Sequence, residues 1–199
     1  MIAIRELLDI VAMTAAVGYI FMPAISAFRL RPVKGFDFKA FWIACVVTAP
    51  ALILHELLHK FVAVSYGLNA TFHAAYPFLA LGIGLRLLGS KFIFFIPGYV
   101  SISSTLQLSS LQQALIAGSG PAVNGVLGLL AWLMFGSLKK KVAMKYLARR
   151  KLPPKSLRTT MLVLYLTMQI NILLLVFNML PIPPFDGWKF WSGLVKAVF

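Results

Sequence analysis

The stretch that decides the fold is AFWIACVVTAPALILHELLHKFVAV, from Ala40 to Val64. A helix of this length, at 1.5 Å per residue, exceeds the roughly 30 Å of a hydrocarbon core, and nearly all of its side chains are apolar. Three ionisable side chains, His55, Glu56 and His59, nevertheless fall within it, and Lys60 follows directly after them. Because a charge at that depth costs about 2.5 to 3.5 kcal/mol or more, we interpret these three residues as functional.

The composition of the whole chain excludes a soluble globular domain. Its 199 residues are 60% hydrophobic and 12% charged, against about 25% charged in soluble proteins. Lys and Arg number 19 and Asp and Glu 5, which gives a net charge of +14. On so apolar a chain we interpret the basic residues as membrane-flanking anchors, and we expect no nucleic-acid partner.

Four apolar runs are long enough to span a bilayer and predict a multi-pass protein of the cell membrane. They cover about residues 7–28, 40–64, 114–135 and 159–180. Residues 139–158 predict a basic loop that contacts anionic lipids, and 188–199 predict a helix lying in the interface. We therefore expect an α-helical integral membrane protein that forms a single domain over residues 1–199.

The segment 67–113 differs from the spans and predicts a small β or re-entrant element between the second and third helices. Its apolar run Phe78–Leu88 is about half a span long and contains Gly82 and Gly84. Polar and apolar residues alternate from Tyr99 to Leu108, which is the period of a strand. A full crossing by residues 78–96 stays open, and with it the orientation of the protein.

His55-Glu56-Leu57-Leu58-His59 is an HExxH pentapeptide within a helix-forming run. Histidines four residues apart lie on one helix face, so both imidazoles can bind a single metal ion. Glu56 projects near that face and could act as the general base for water. The single cysteine, Cys45, cannot build a thiolate site, so nitrogen and oxygen ligands are expected, as zinc accepts.

A catalytic zinc normally takes three protein ligands, so a third residue is required. The only glutamates are Glu6 and Glu56, which excludes a downstream Glu as the third ligand. Ser65 stands six residues after His59, which excludes the arrangement with a third His at that position. The remaining candidates are His73, Asp9, Asp37 and Asp186. Asp186 is the strongest candidate, because it follows the fourth span where three prolines stop the helix.

Taken together, the motifs resemble those of the site-2 protease family of intramembrane zinc metalloproteases. They are HELLH, the element Gly120-Pro121-x-x-Asn124, and Asn178-x-x-Pro181-x-x-Pro184-x-Asp186-Gly187, and the likeness covers about residues 40–187. Phe185 stands where the family often has Leu. We see no accessory domain in the sequence, so we expect a compact form of the family.

The resemblance implies a three-helix catalytic core that cleaves transmembrane or membrane-proximal segments of membrane-protein substrates. It implies one zinc ion per chain bound by His55, His59 and Asp186, with Glu56 as general base and later proton donor. It also implies that Asn178 steadies the oxyanion, although from the residues alone Asn178 could equally form an interhelical hydrogen bond.

Two other functions are compatible with this sequence. A catalytically inactive relative could act as a membrane scaffold or chaperone, but the motif residues are intact. A metal or proton transporter could also carry ionisable residues at membrane depth, but only one such cluster is visible. Orientation is undecided, since the basic loop favours a catalytic site toward the outer face and the resemblance implies the cytosolic face.

Overall fold

The computed structural model describes residues 2–28, 35–90, 96–103, 107–147 and 150–199. Within these ranges the elements, in chain order, are α1 (Ile4–Ser26), α2 (Phe38–Ser65), β1 (Asn69–Ala74), α3 (Tyr76–Leu87), β2 (Gly98–Ser103), α4 (Ser110–Val142), α5 (Lys155–Asn178) and α6 (Asp186–Val198). A π-helical turn, Ala143–Leu147, continues α4. Helices α1, α2, α4 and α5 are long and apolar enough to cross a membrane, which confirms the predicted fold class.

The third span is longer than predicted at both ends. Ser109 and Gln112 form a reciprocal capping box that starts α4 four residues before the apolar run at 114–135. Beyond the run, the helix continues through Lys139–Lys141, because lysine is a good helix former. The prediction of a loop over 139–158 is therefore wrong for residues 139–147, which are helical, and for residues 155–158, which begin α5.

The segment between the second and third spans is a hairpin with a short helix inserted into it. β1 and β2 pair antiparallel, with Asn69 opposite Ser103 and Ala74 opposite Gly98. The predicted strand at 99–108 is shorter than expected, since β2 ends at Ser103 and residues 104–106 lie outside the described part of the chain. Helix α3 has 12 residues, about 18 Å, which is too short to cross the hydrocarbon core.

Helix α2 lies at the centre of the bundle and contacts α1, α4, α5 and both strands. Gly18 lets α1 approach it closely, because a Cβ there would lie 2.3 Å from the Cys45 sulfur. On the opposite side α4 packs between α2 and α5, and α6 returns along α4. Helix α5 is the most peripheral of the four, and Asn171 is the one buried residue along it.

Two carboxylates of α1 are buried where this helix meets the hairpin. Glu6 forms an ion pair with Lys60 of α2 and also accepts hydrogen bonds from the backbone N–H groups of Phe72 and Ala3, both at 2.7 Å. Asp9 accepts a hydrogen bond from the Tyr76 hydroxyl at 2.5 Å. These contacts fasten α1 to α2, β1 and the start of α3.

Candidate metal centre

Three side chains from two distant parts of the chain converge beside α2. The Nε2 atoms of His55 and His59 are 3.1 Å apart, and the Oδ2 atom of Asp186 lies 3.0 Å from the first and 3.2 Å from the second. The histidines sit on one face of α2, as their spacing predicts, and Asp186 is the first residue of α6. One ligand atom from each residue therefore points to a common centre.

The break between α5 and α6 explains how Asp186 reaches this position. Helix α5 ends at Asn178, and the prolines that follow cannot continue it because they lack a backbone N–H and clash with the preceding turn. The chain then folds back tightly, since a Cβ on Gly187 would lie 2.4 Å from the Met179 carbonyl carbon. The carboxylate at the start of α6 is also stabilised by the positive end of that helix dipole.

Hydrogen bonds on the far side of each imidazole fix which nitrogen faces the centre. His55 Nδ1 lies 2.6 Å from the side-chain oxygen of Asn124, and His59 Nδ1 lies 2.7 Å from the Ile116 carbonyl oxygen. Both neighbours are acceptors, so each Nδ1 carries the proton and donates it. The Nε2 lone pairs are left to face Asp186, which is the arrangement that a metal ligand requires.

A chain of amides holds Asn124 in the orientation that His55 needs. The Asn124 side-chain N–H₂ donates to the Ala51 carbonyl oxygen at 3.0 Å and to the Asn171 side-chain oxygen at 2.9 Å. The Asn171 side-chain N–H₂ in turn donates to the Thr167 carbonyl oxygen at 2.8 Å. The side-chain oxygen of Asn124 is therefore directed at His55, and helices α2, α4 and α5 are joined behind the centre.

The three residues fit a zinc ion in both chemistry and spacing. Zinc bonds to nitrogen and oxygen are about 2.0 to 2.2 Å long, so neighbouring corners of a tetrahedral site lie roughly 3.3 Å apart. The observed edges of 3.0, 3.1 and 3.2 Å are close to that value. Gly120 keeps the space beside the histidines clear, because a Cβ there would lie 2.3 Å from His59 Nε2 and 2.7 Å from His55 Nε2.

The carboxylate of Asp186 is ionised at neutral pH. Burial raises the pKa of the Asp186 carboxyl, whereas an Nε2 proton on His55 or His59, carried when that imidazole is charged, bonds to the carboxylate and lowers its pKa below the ordinary value. The side chain keeps 26% of its surface exposed, whereas the two histidine side chains keep less than a tenth. The exposed part of the Asp186 side chain lines a cavity.

The cavity has a volume of about 1290 Å³, and Glu56 and Asn178 line it together with the three converging side chains. Its walls come from helices α1 to α5, both strands and the start of α6. Glu56 lies close enough to His55, His59 and Asp186 to interact electrostatically with all three. Asn178, at the end of α5, lines the same space. A peptide segment could therefore reach the centre and the two predicted catalytic side chains together.

The other candidates for a third ligand occupy different places in the fold. His73 lies on β1 with its Nε2 atom 3.0 Å from the Ser101 hydroxyl. Asp9 bonds to Tyr76 and raises the pKa of that hydroxyl, while Asp37 caps α2 by accepting from the Ala40 backbone N–H. Within the described residues, the group that could hold a metal ion consists of His55, His59 and Asp186 and includes none of these other candidates.

Sequence reasoning missed Asn171 and named Asn124 only as part of a motif. Asn124 is fully buried behind His55 and does not itself line the cavity. Asn171 is 1% exposed in a helix that is otherwise peripheral. The available signal was an amide inside an apolar span, which usually faces another helix, but its partner could not be identified from the sequence.

The fold and this centre together define a class, that of membrane-spanning helix bundles with a candidate metal site built on an HExxH motif. Residues 43–199 match peptidase family M50, and the chain belongs to this family, the site-2 protease family. It is 29% identical over 197 residues to a protein of Methanocaldococcus jannaschii whose name reads "Putative zinc metalloprotease"; the match covers 98% of this chain and 88% of that protein. No solved structure matches significantly. The family and the relative both support a metalloprotease.

Proposed function

We propose that this chain is an intramembrane zinc metalloprotease of the cell membrane. It hydrolyses peptide bonds within or next to transmembrane segments of other membrane proteins, as a step in regulated intramembrane proteolysis. The observation that carries the proposal is the convergence of three ligand atoms, 3.0 to 3.2 Å apart, beside Glu56 in a cavity large enough for a peptide segment.

In the proposed reaction His55, His59 and Asp186 hold one zinc ion. When bound, the ion supplies Lewis-acid chemistry, which activates water and polarises a scissile carbonyl group. Glu56 accepts the proton from the attacking water and then donates it to the leaving nitrogen. Asn178 donates a side-chain N–H to the oxygen that becomes negatively charged during the attack.

We further propose that the hairpin presents the substrate in extended form. A helix hides its peptide bonds, so a transmembrane segment must unwind before it can be cleaved. Both strands line the cavity, and in the described residues the sheet contains only β1 and β2, so each strand has one side free of strand partners. An unwound segment could add to β2 through main-chain hydrogen bonds. Proline substitutions along Tyr99–Ile102 that all left cleavage unchanged would contradict this step.

The proposed activity is tested with Glu56→Gln, a substitution that keeps the size of the side chain and removes its basicity. Purified wild-type and variant proteins are reconstituted with a model transmembrane substrate, and product and zinc content are both measured. We expect cleavage to fall about 10³-fold while zinc stays bound, since general bases typically contribute 10² to 10⁴ in rate. Wild-type cleavage by the variant would contradict the proposal. A zinc-loaded wild-type protein inactive on a panel of such substrates would support the scaffold alternative.

A further inference from the structure

We infer that Lys189 selects substrates by charge, and that the preferred substrate is a transmembrane segment with an Asp or Glu side chain close to the bond that is cleaved. The Lys189 ammonium group pairs with that carboxylate while the substrate occupies the cavity. This inference rests on the proposed function, because it names the substrate class of the same site.

Lys189 lines the cavity one helical turn beyond the candidate ligand Asp186. Residues three apart on a helix are neighbours on its surface, and they are separated by about 5 Å along the axis. The Lys189 side chain is exposed, whereas Asp186 is partly buried at the centre. The ammonium group is therefore within reach of a peptide that lies across the metal ligands.

The two lysines of α6 differ in how the helix itself accounts for them. Lys196 lies in the last turn, where the negative end of the helix dipole favours a cation. Lys189 lies in the first turn, near the positive end, where a cation is disfavoured. Lys196 is about 10 Å further along the same face and does not line the cavity. Helix electrostatics thus explain Lys196 but not Lys189.

The acidic residues of the chain offer no free counter-charge to Lys189. The sequence contains five of them, and each already has contacts within the protein. Glu6 pairs with Lys60, Asp9 accepts from Tyr76, Asp37 accepts from Ser26 and the Ala40 N–H, and Glu56 and Asp186 face His55 and His59. Among ion pairs between described residues, Lys189 takes part in none. A carboxylate that pairs with it has to come from another molecule.

Arg5 is the other Lys or Arg among the described residues that line the cavity, and its charge is compensated. Asp9 lies four residues along α1, one turn away, and Arg5 also acts electrostatically on the Tyr76 hydroxyl that bonds to Asp9. At the centre, the two positive charges of the zinc ion that the three ligands fit would offset Glu56 and Asp186. Lys189 is then the uncompensated charge of the cavity.

A substrate carboxylate suits this position in both energy and reach. An ionised side chain within a transmembrane segment is costly in lipid, and pairing with Lys189 in the cavity lowers that cost. An unwound peptide advances about 3.3 Å per residue. Because the lysine side chain extends beyond the turn that separates Lys189 from Asp186, the carboxylate is expected within roughly three residues of the cleaved bond. A basic side chain at that place would be repelled.

Exchange of charges between enzyme and substrate tests the pairing. Versions of the model transmembrane substrate carry Asp, Asn or Lys at one position, scanned over three residues on each side of the cleaved bond. At the best position, wild-type protein should show a KM about tenfold lower for Asp than for Lys, since attraction replaces repulsion at an exposed side chain. Lys189→Glu should reverse this order, and Lys189→Gln should abolish it. Lys196→Glu is the matched control and should behave as wild type.

A binding measurement separates failure of this inference from failure of the proposed function. Fluorescently labelled Asp, Asn and Lys peptides are titrated into zinc-loaded Glu56→Gln protein, with and without Lys189→Gln. We expect the Asp peptide to bind most tightly and the differences to disappear with Lys189→Gln. Charge-dependent binding without cleavage by the wild type would contradict only the proteolysis. Cleavage or binding that is independent of substrate charge, or charge dependence that survives in Lys189→Gln, would overturn the role of Lys189.

Discussion

Two groups of ionisable side chains are buried in α2 and its neighbours, and they differ in what surrounds them. Glu6 and Lys60 are 2% and 4% exposed, and the Glu6 carboxylate accepts bonds from the lysine and from two backbone N–H groups. The ligand atoms of His55, His59 and Asp186 instead face one another and a cavity. His59 and Lys60 are neighbours in sequence, yet they contribute to different groups.

The structural ion pair and the candidate site differ in geometry rather than in residue type. In the Glu6 and Lys60 group, opposite charges and hydrogen-bond donors satisfy the buried carboxylate, so the group can fasten α1 without a ligand. In the second group, lone-pair atoms converge from three side chains while their outer nitrogens are held by acceptors. Such convergence with access to a cavity is the arrangement of a group that could hold a metal ion.

The largest effect is expected when a side chain fills the space beside His55 and His59. Gly120→Ala would place a methyl group 2.3 Å from His59 Nε2, where it must displace either the imidazole or the ion. Loss of a residue that hydrogen-bonds to a metal ligand typically lowers affinity by up to roughly 100-fold. We expect a larger fall in zinc affinity here, and cleavage at background level. Zinc titration measures the loss. Gly125→Ala on the same helix is the control, because its Cβ would meet Leu175 at an ordinary 3.6 Å.

Substitutions in the Glu6 and Lys60 group should lower the stability of the fold and leave metal binding intact. Lys60→Met leaves the Glu6 carboxylate buried without its counter-charge, which should lower the free energy of unfolding by about 3 to 5 kcal/mol. For a chain of this size that corresponds to a melting temperature roughly 10 °C lower, measured in detergent. The folded fraction should still bind one zinc. Adding Glu6→Gln should restore much of the stability, and failure to do so would mean that the ion pair is not the cause.

Asn178 tests whether the cavity beside the second group is catalytic. Asn178→Ala removes the donor proposed for the oxyanion, and kcat should fall about 10²-fold with KM and zinc content unchanged. Steady-state kinetics on the model transmembrane substrate provides the measurement. An unchanged kcat would leave Asn178 with the alternative role of an interhelical hydrogen bond, and the proposed oxyanion contact would be wrong.

The smallest effect is expected from the amide chain behind His55. Asn171→Ala removes one acceptor of the Asn124 side chain, which can then turn and present its N–H₂ to His55. We expect zinc affinity to fall about 10-fold, at the low end for an outer-shell partner. Asn171→Asp keeps an acceptor at that position and should retain more affinity than Asn171→Ala. Equal affinities in Asn171→Ala and the wild type would show that Asn171 serves only to pack α5.

The parts of the site that were predicted from sequence follow from local rules. The spacing of His55 and His59 places them on one helix face, and the prolines before Asp186 stop α5 where the structure ends it. The four spans follow from apolar length. These features depend on neighbouring residues alone, so the sequence is sufficient to predict them.

What was missed depends on contacts between residues far apart in the chain. Lys60 lies 54 residues from Glu6, and Asn124 lies 47 residues from Asn171, so neither pair has a local pattern. The ends of α4 were predicted wrongly because an apolar run marks only the residues that lie in the hydrocarbon core. The capping box at Ser109 and the helix-forming lysines extend the helix beyond those residues.

Zinc content per chain is the most direct test of the central claim that His55, His59 and Asp186 bind one ion. Wild type, Asp186→Ala and the Glu6→Gln/Lys60→Met double variant are purified in parallel, and their metal is measured by mass spectrometry after dialysis against a weak chelator. We predict one zinc per chain in the wild type and in the double variant, and none in Asp186→Ala. Full zinc occupancy in Asp186→Ala, at wild-type affinity, would contradict the claim.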